Sequence, residues 1–488
     1  MNVYLLLKNS DFNLDDLTEE EIEPLNSDLS LDIIFKAMAK GDDVIYGAVR
    51  KVMFRYLTDS SEITYRQEIL NDAFAKPKEF KKLYEIASEA LDATKKQDYW
   101  LNSQILTTRF QSAVSVLEGF IPFLQELRKF ADQNKNAFSS YGMNRLLSEI
   151  KEEIDDDFIR KAKDLVSELE FKDGMLLGLT FDNDASLAGY QLLRKTSEDN
   201  KIKWKMAPKV TLAVNDESGM EDISDRTNLA LSQSVDTLTE AAGNVKDFLF
   251  RLQTEIGFYI GVLNLTDTLK EKNVSYCMPL ISDSTMKKRH IAGLSEATVV
   301  LSGENAVHND IDSEGKSLYI ITGANQGGKS TFLRSIGQAQ MMAQSGCIVM
   351  AQIFESHVVS GIFTHFSKLE DRTMKSGKLD EELLRMSGIA DRIRSNALIL
   401  FNESFQSTNE REGSEICREI VNALVEDGIE VFFVTHFFTF AENVLEHMKD
   451  ESVFLKAERM SGGQRTFKIV PGLPEETAYG RDLYDSIF

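Results

Sequence analysis

Between Tyr319 and Arg334 the chain reads Tyr-Ile-Ile-Thr-Gly-Ala-Asn-Gln-Gly-Gly-Lys-Ser-Thr-Phe-Leu-Arg. Gly323, Gly328, Lys329 and Ser330 satisfy the spacing G-x-x-x-x-G-K-[ST] in full. That pattern suits one chemistry, the cradling of a nucleotide's phosphates. Glycines let the backbone wrap closely, so successive N–H groups can point at anionic oxygens. A helix that follows adds the positive end of its dipole. The expected nucleotide-binding set is Gly323, Ala324, Asn325, Gln326, Gly327, Gly328, Lys329, Ser330 and Thr331. Lys329 would reach the β- and γ-phosphates of ATP, and the Ser330 hydroxyl would enter a Mg²⁺ shell.

Two further apolar runs end in polar side chains. Ala397-Leu398-Ile399-Leu400-Phe401 leads to Asn402-Glu403, the form of a strand that delivers its last residues beside a γ-phosphate. Asn402 can offer its carbonyl to a water of the Mg²⁺ shell but brings no charge, so weaker Mg²⁺ binding and slow turnover are expected. Glu403 stands where a water-polarising base is needed. Val431-Phe432-Phe433-Val434 leads to Thr435-His436, and a strand-end histidine near a γ-phosphate can sense it by hydrogen bonding. Glu403 and His436 are therefore the expected catalytic pair, and Ser330 and Asn402 the expected metal pair.

These segments need a buried parallel sheet to hold them, and the rest of the chain reads differently. Residues 30–135 and most of 140–260 show helical patterning. Phe110, Val114, Leu117, Ile121 and Leu124 recur every three or four residues as a core-facing stripe, with Pro122 expected to bend or break the helix. Val3 to Leu7 reads as a short strand, and the acidic run from Asp15 to Glu23 as a solvated surface or an acidic docking surface for a partner. Lys201-Ile202-Lys203-Trp204-Lys205 alternates like a strand with one basic face, either surface with Trp204 tucked into the core or a nucleic-acid contact. Met286-Lys287-Lys288-Arg289-His290 is the one compact basic cluster, read as a surface loop or as an anion or nucleic-acid contact. Leu379, Leu383, Met386, Ala390 and Ile393 suggest the buried face of another helix. Met460-Ser461-Gly462-Gly463-Gln464-Arg465 imitates a transporter signature loop. It follows the Asn402-Glu403 strand rather than preceding it, and the alternation on both sides reads as a β-hairpin.

At 488 residues the chain has room for roughly two to four domains. Its 42% hydrophobic and 27% charged content is that of an ordinary globular protein. No apolar run is long enough to span a bilayer, and the first residues lack the basic region and cleavage site of a signal peptide. Cys277, Cys347 and Cys417 lie far apart with no zinc or disulfide pattern, which fits a reducing, cytoplasmic setting. The formal net charge of −23 argues against broad affinity for nucleic acid, since phosphate contacts need Lys and Arg.

The run Thr322 to Thr331 resembles the phosphate loop of the MutS family of mismatch-repair ATPases, with Asn325 and Gly327 matching better than in a generic phosphate loop. Met342 to Cys347, Thr435-His436, Tyr65 to Asp72 and Glu475 to Tyr484 are also similar to segments of that family. The family ends its second strand in Asp-Glu where this chain has Asn402-Glu403. It carries a Gly-Arg-Gly-Thr-Ser turn where only Thr408 is shared here, and a Ser-rich signature of which Ser376-Gly377-Lys378 keeps part. The resemblance implies a mostly α-helical N-terminal core or lever domain (31–275, after a segment 1–30) and an α/β P-loop ATPase domain of the ABC type (276–488). It implies ATP and Mg²⁺ as cofactors, a homodimer through the ATPase domains, and coupling of nucleotide state to DNA in repair or recombination. Nothing in the chain resembles the family's mismatch-reading domain or its dimerisation extension, so direct mismatch reading is not expected. The competing reading, favoured by Asn402 and the charge of −23, is a nucleotide-gated scaffold that assembles a protein complex with little hydrolysis and no DNA.

Overall fold

The structure, a computed structural model, describes residues 1–169, 171, 176–181, 187–193, 217–283, 287–368, 377–459 and 465–474. The segments Lys201–Lys205 with Trp204, Ser376, Met286, Met460–Gln464 and Glu475–Tyr484 fall outside them. Two compact units emerge. One comprises Met1–Leu5 and Lys78–Ile256, and the other Leu6–Pro77 together with the chain from Gly257 onward. Residues 6–30, read on sequence as part of a separate segment, and 31–77, read as part of the helical domain, thus cluster with the chain from Gly257 onward. Among the described residues no helix is long and apolar enough to cross a membrane.

Four helices open the chain: α1 (Glu19–Leu29), α2 (Leu31–Ala39), α3 (Asp43–Phe54) and α4 (Ser60–Ala75). The starts of α3 and α4 lie where the sequence supplies acceptors. The Asp42 carboxylate accepts from the amides of Val44 and Ile45, and Asp59 from those of Ser61 and Glu62. Residues 3–7 form no strand. Val3, Leu5 and Leu6 are buried all the same, and the Leu5 amide donates to the Glu255 carboxylate at 2.7 Å. In the acidic run Asp16 pairs with Lys51 and Glu19 with Arg50.

The first unit is built from α5 (Pro77–Asp98), α6 (Leu106–Gln133), α7 (Tyr141–Glu153), α8 (Asp156–Leu169), the antiparallel pair β1 (Leu176–Phe181) and β2 (Leu187–Leu193), and the first part of α9 (Glu217–Glu271). The expected stripe on α6 is inward, with Phe110, Val114, Ile121 and Leu124 buried. Pro122 does not end α6. It lies on an exposed face, where the carbonyl it deprives of a partner, that of the exposed Glu118, can be solvated instead. α9 runs for 55 residues and its last turns belong to the second unit, where Gly261 lies so close to Val49 that a Cβ would meet its methyl at 2.7 Å.

The second unit carries two sheets. Its elements are β3 (Leu280–Ser282), β4 (Lys288–Leu294), α10 (Ala297–Ser302), β5 (Asn309–Glu314), β6 (Leu318–Thr322), α11 (Lys329–Gln344), β7 (Ile353–His357), β8 (Ile362–Phe366), α12 (Lys378–Ala390), β9 (Leu398–Asn402), α13 (Glu410–Glu426), β10 (Glu430–Val434), α14 (Phe438–His447), β11 (Ser452–Arg459) and β12 (Arg465–Pro471). The main sheet has the order β12-β11-β6-β10-β9-β8 and is parallel except for the edge strand β12. Both faces are covered, which is why β6, β9 and β10 are continuously apolar. Ile320, Phe401 and Phe433 face α12, α13 and α14, whereas Leu400 meets α11 at Gly337. The smaller sheet has the order β3-β7-β4-β5.

Two expectations are corrected here. The cluster enters strand β4 at Lys288 rather than forming a loop, and each described basic side chain already has a partner. Lys287 donates to Ser317 and the Gly428 carbonyl, Lys288 pairs with Glu355, and His290 lies 3.3 Å from Asp312. Arg289 is fully buried, with both arms on Glu430 at 2.7 Å. Burial pushes the Glu430 carboxyl up, but Arg289, helped by His357 at 3.4 Å, outweighs it and holds the pKa at about 2. The buried face of α12 is also rotated from the expected one. Glu382, Met386 and Ile389 point inward while Leu383 and Leu384 are exposed. Leu379, Glu382, Met386 and Ile389 form an equally regular series, and the apolar pattern alone selected the wrong one of the two.

Candidate nucleotide site

Strand register brings the three sequence segments together. Val434 is aligned with Ile321 of β6 and with Asn402 of β9, so all three strands end at one level. The ladder continues past them, with the Thr435 amide donating to Ile321 and the Glu403 amide to Val434. Carboxyl ends of parallel strands are where such sheets bind ligands, and β6 lies inside the sheet between β11 and β10.

The glycine loop adopts a conformation that side chains would prevent. Gly323 has φ +117° and Gly328 φ +92°. A Cβ on Gly323 would meet the Ala457 amide nitrogen at 2.9 Å, and one on Gly328 the Phe467 carbonyl oxygen at 2.7 Å. β11 and β12 therefore press against the loop. The helix α11 starts at Lys329 with no side-chain cap, leaving its first amides for another acceptor. Asn325 and Gln326 are exposed at the loop tip, and Gln326 accepts from Arg465 at 2.8 Å.

Lys329 is buried, with its ammonium donating to the carbonyls of Gly323 (2.9 Å) and Ala324 (3.0 Å). Burial lowers its pKa to about 8, and Glu403 partly offsets this. His436 Nε2 lies 2.9 Å from Glu403 Oε1 and 3.4 Å from Lys329 Nζ. A carboxylate only accepts, so Nε2 carries the hydrogen, and the lysine spends its own hydrogens on the loop carbonyls. The hydrogen bond from His436 lowers the Glu403 pKa, burial opposes it, and Lys329 adds to the lowering. Glu403 is thus held as a carboxylate, on a residue with φ +52°, a conformation that a non-glycine residue adopts only when its surroundings impose it.

Ser330 Oγ donates to Asn402 Oδ1 at 2.8 Å. Among the described residues no group of three or more His, Cys, Asp or Glu side chains is placed to hold a metal ion. A hydroxyl beside an amide oxygen is the kind of hard, incomplete donor pair that suits Mg²⁺, which takes its remaining ligands from phosphates and water. The residues fit that ion, with no protein charge supplied directly.

A cavity of about 260 Å³ opens beside the loop, between Asn305 and Val307 on one wall, Gly328 and Thr331 on the floor, and Phe467 on the other wall. Phe467 is 48% exposed and has φ +60°. Sequence reading passed over both walls. Phe467 lay in a run read only as hairpin, and nothing in residues 305–307 marked them as lining a site.

A family model described as MutS2 N-terminal domain matches residues 58–272, and one described as MutS domain V matches residues 319–481. The chain belongs to the MutS family. For a MutS-family chain it covers little of its relatives. Human "MutS protein homolog 4" is 30% identical over 188 residues, 37% of this chain and 20% of that protein. "DNA mismatch repair protein MutS" of Thermotoga maritima is 30% identical over 216 residues, 43% of this chain and 26% of that one. The protein of the same description from Streptococcus pneumoniae is 25% identical over 343 residues, 66% of this chain and 40% of that one. The MutS domain V match takes in the loop, Asn402-Glu403, His436 and Phe467, while Asn305 and Val307 lie outside it.

Proposed function

We propose that the chain binds and hydrolyses ATP at the carboxyl edge of β6, β9 and β10, and couples its nucleotide state to DNA in repair or recombination. The observation that carries this is the convergence of Lys329, the Ser330–Asn402 pair and the Glu403–His436 pair on one loop. The fold of the second unit is then that of a P-loop ATPase of the ABC type.

Each residue has a task in this reading. The amides from Gly323 to Thr331 surround the phosphates, and the base enters the cavity between Val307 and Phe467. The Lys329 ammonium exchanges two backbone carbonyls for phosphate oxygens, which restores the charge partner its burial lacks. Ser330 and Asn402 hold part of a Mg²⁺ shell, and the ion neutralises charge on the β- and γ-phosphates. Glu403, kept ionised by His436, accepts a proton from the attacking water, and His436 reads the γ-phosphate from beside it. Nucleotide binding would close two copies of the chain through their α/β units.

A second reading remains, a nucleotide-gated scaffold with little hydrolysis and no direct DNA binding. The neutral Asn402 favours it, as does the helical unit, where Lys82, Arg128, Lys151, Arg160, Lys161 and Lys246 are each paired with carboxylates. ATP turnover separates the two when measured with branched, mismatched and plain duplex DNA at low and physiological salt, beside Glu403→Gln. Turnover that needs Glu403 and responds to one DNA structure supports the first reading. Nucleotide binding with no DNA response at either salt supports the second.

A further inference from the structure

His365 lies within β8 and is fully buried, next to the strand that ends at Asn402-Glu403. Its Nε2 is 3.0 Å from the Glu382 backbone oxygen on α12, and its Nδ1 is 2.8 Å from Ser404 Oγ. A carbonyl only accepts, so Nε2 carries the ring hydrogen. Burial lowers the pKa to about 4, which keeps the ring neutral, so Nδ1 accepts from the Ser404 hydroxyl. That hydroxyl has a second acceptor within reach, the His365 carbonyl at 2.6 Å.

The ring also stacks on Phe405, centroids 5.0 Å apart and planes at 19°. Ser404 is flanked by Glu403 at φ +52° and Phe405 at φ +63°. Two left-handed residues so close together form a strained turn that its surroundings must hold. His365 grips that turn twice, by a hydrogen bond at Ser404 and by its ring face at Phe405, and fixes it to α12 through Glu382. The helix touches the same loop once more, where the buried Glu382 side chain accepts from Ser407 at 3.3 Å.

We propose that His365 is a positioning residue for Glu403, a neutral strut that ties the turn carrying the water-polarising carboxylate to α12. The proposal rests on the reading of Glu403 given above. It assigns work to a histidine that never meets the nucleotide, and it makes the placement of α12 a condition for turnover.

The experiment measures kcat, KM, nucleotide affinity and melting temperature of the full chain as His365→Phe, Ser404→Ala, the double variant and His365→Gln, with Glu403→Gln alongside. Misplacement of a catalytic group by about 1 Å can cost about 10²-fold. His365→Phe should therefore lower kcat on the order of 10²-fold, and Ser404→Ala less, with KM and nucleotide affinity unchanged. The double variant should be no slower than His365→Phe, because both remove one linkage. His365→Gln, which keeps an N–H for α12, should recover part of the loss. Ser404→Ala removes a single hydroxyl and carries the test if His365→Phe does not fold. Turnover that Glu403→Gln abolishes but Ser404→Ala and His365→Gln leave intact overturns the role of His365. So does a fall in kcat that merely follows the melting temperature. Wild-type turnover that Glu403→Gln does not alter overturns the reading of Glu403 itself.

Discussion

The two ends of β10 carry the same three kinds of side chain. At its start Arg289, Glu430 and His357 meet, and just past its end Lys329, Glu403 and His436 meet. The first trio is sealed. Arg289 and Glu430 are 0% and 2% exposed and bonded through both arms, and Gln340 and Ser356 take the other guanidinium nitrogen. The second trio is open. His436 and Glu403 are 26% and 33% exposed, and the cation is held by backbone oxygens instead of the carboxylate. A cation with its counter-charge already in place can only hold the fold together. One whose partners are neutral can exchange them for a ligand.

Substitutions at the two ends should therefore fail in different ways. Glu403→Gln should lower ATP turnover by about 10²–10⁴-fold, the range for losing a general base, while the melting temperature stays within experimental error. Glu430→Gln should do the reverse. It leaves a buried guanidinium without its counter-charge and should cost about 3–5 kcal/mol in urea unfolding, with kcat of the remaining folded protein little changed.

Acid sharpens the same contrast. The Glu430 carboxyl is depressed from 4.5 to about 2, so the stability it contributes is fully present above 4.5 and is lost as pH falls towards 2. Wild-type stability should decline across that window, and Glu430→Gln, already lacking the contribution, should show a shallower decline.

Asn402→Asp should raise the apparent affinity for Mg²⁺, read from the metal dependence of turnover, on the order of tenfold or more. No gain would mean that the Ser330–Asn402 pair lies outside the metal shell. The smallest effects belong to Lys288→Ala and His290→Ala. Their partners Glu355 and Asp312 are themselves solvent-facing, and neither melting temperature nor turnover should move.

How legible each end was in the sequence follows from the same difference. Gly323 and Lys329 could be found because a loop that wraps phosphates restricts residue type position by position, and Asn402, Glu403 and His436 because each follows an apolar run. Arg289 was read as one of a surface cluster. Its partner Glu430 lies far along the chain at the first position of another strand, and no local pattern joins the two. Val307 and Phe467 were missed for the same reason, since their cavity exists only when β12 returns to the loop. On α12 the buried face includes the charged Glu382, so the spacing of apolar residues alone did not mark it.

Residues 6–77 have a history that the finished packing conceals. Leu29 and Leu400 both press on Gly337, and Arg66 donates to the Ser345 carbonyl at the end of α11. All of those partners lie beyond residue 257 in the sequence, after the stretch 78–256. At ~5–20 residues per second of synthesis, the ribosome needs roughly 15–65 s to go from residue 77 to Leu400, the last of those partners. For that time the apolar faces of α1, α2 and α3 have emerged with no α11 or β9 to meet. The helical unit can fold in the interval, and the opening helices must wait for the chain to return. A nascent chain stalled within 78–256 should therefore bind trigger-type chaperones through residues 6–77 and be cut there by proteases, and it should become resistant once the strands up to β9 have been made.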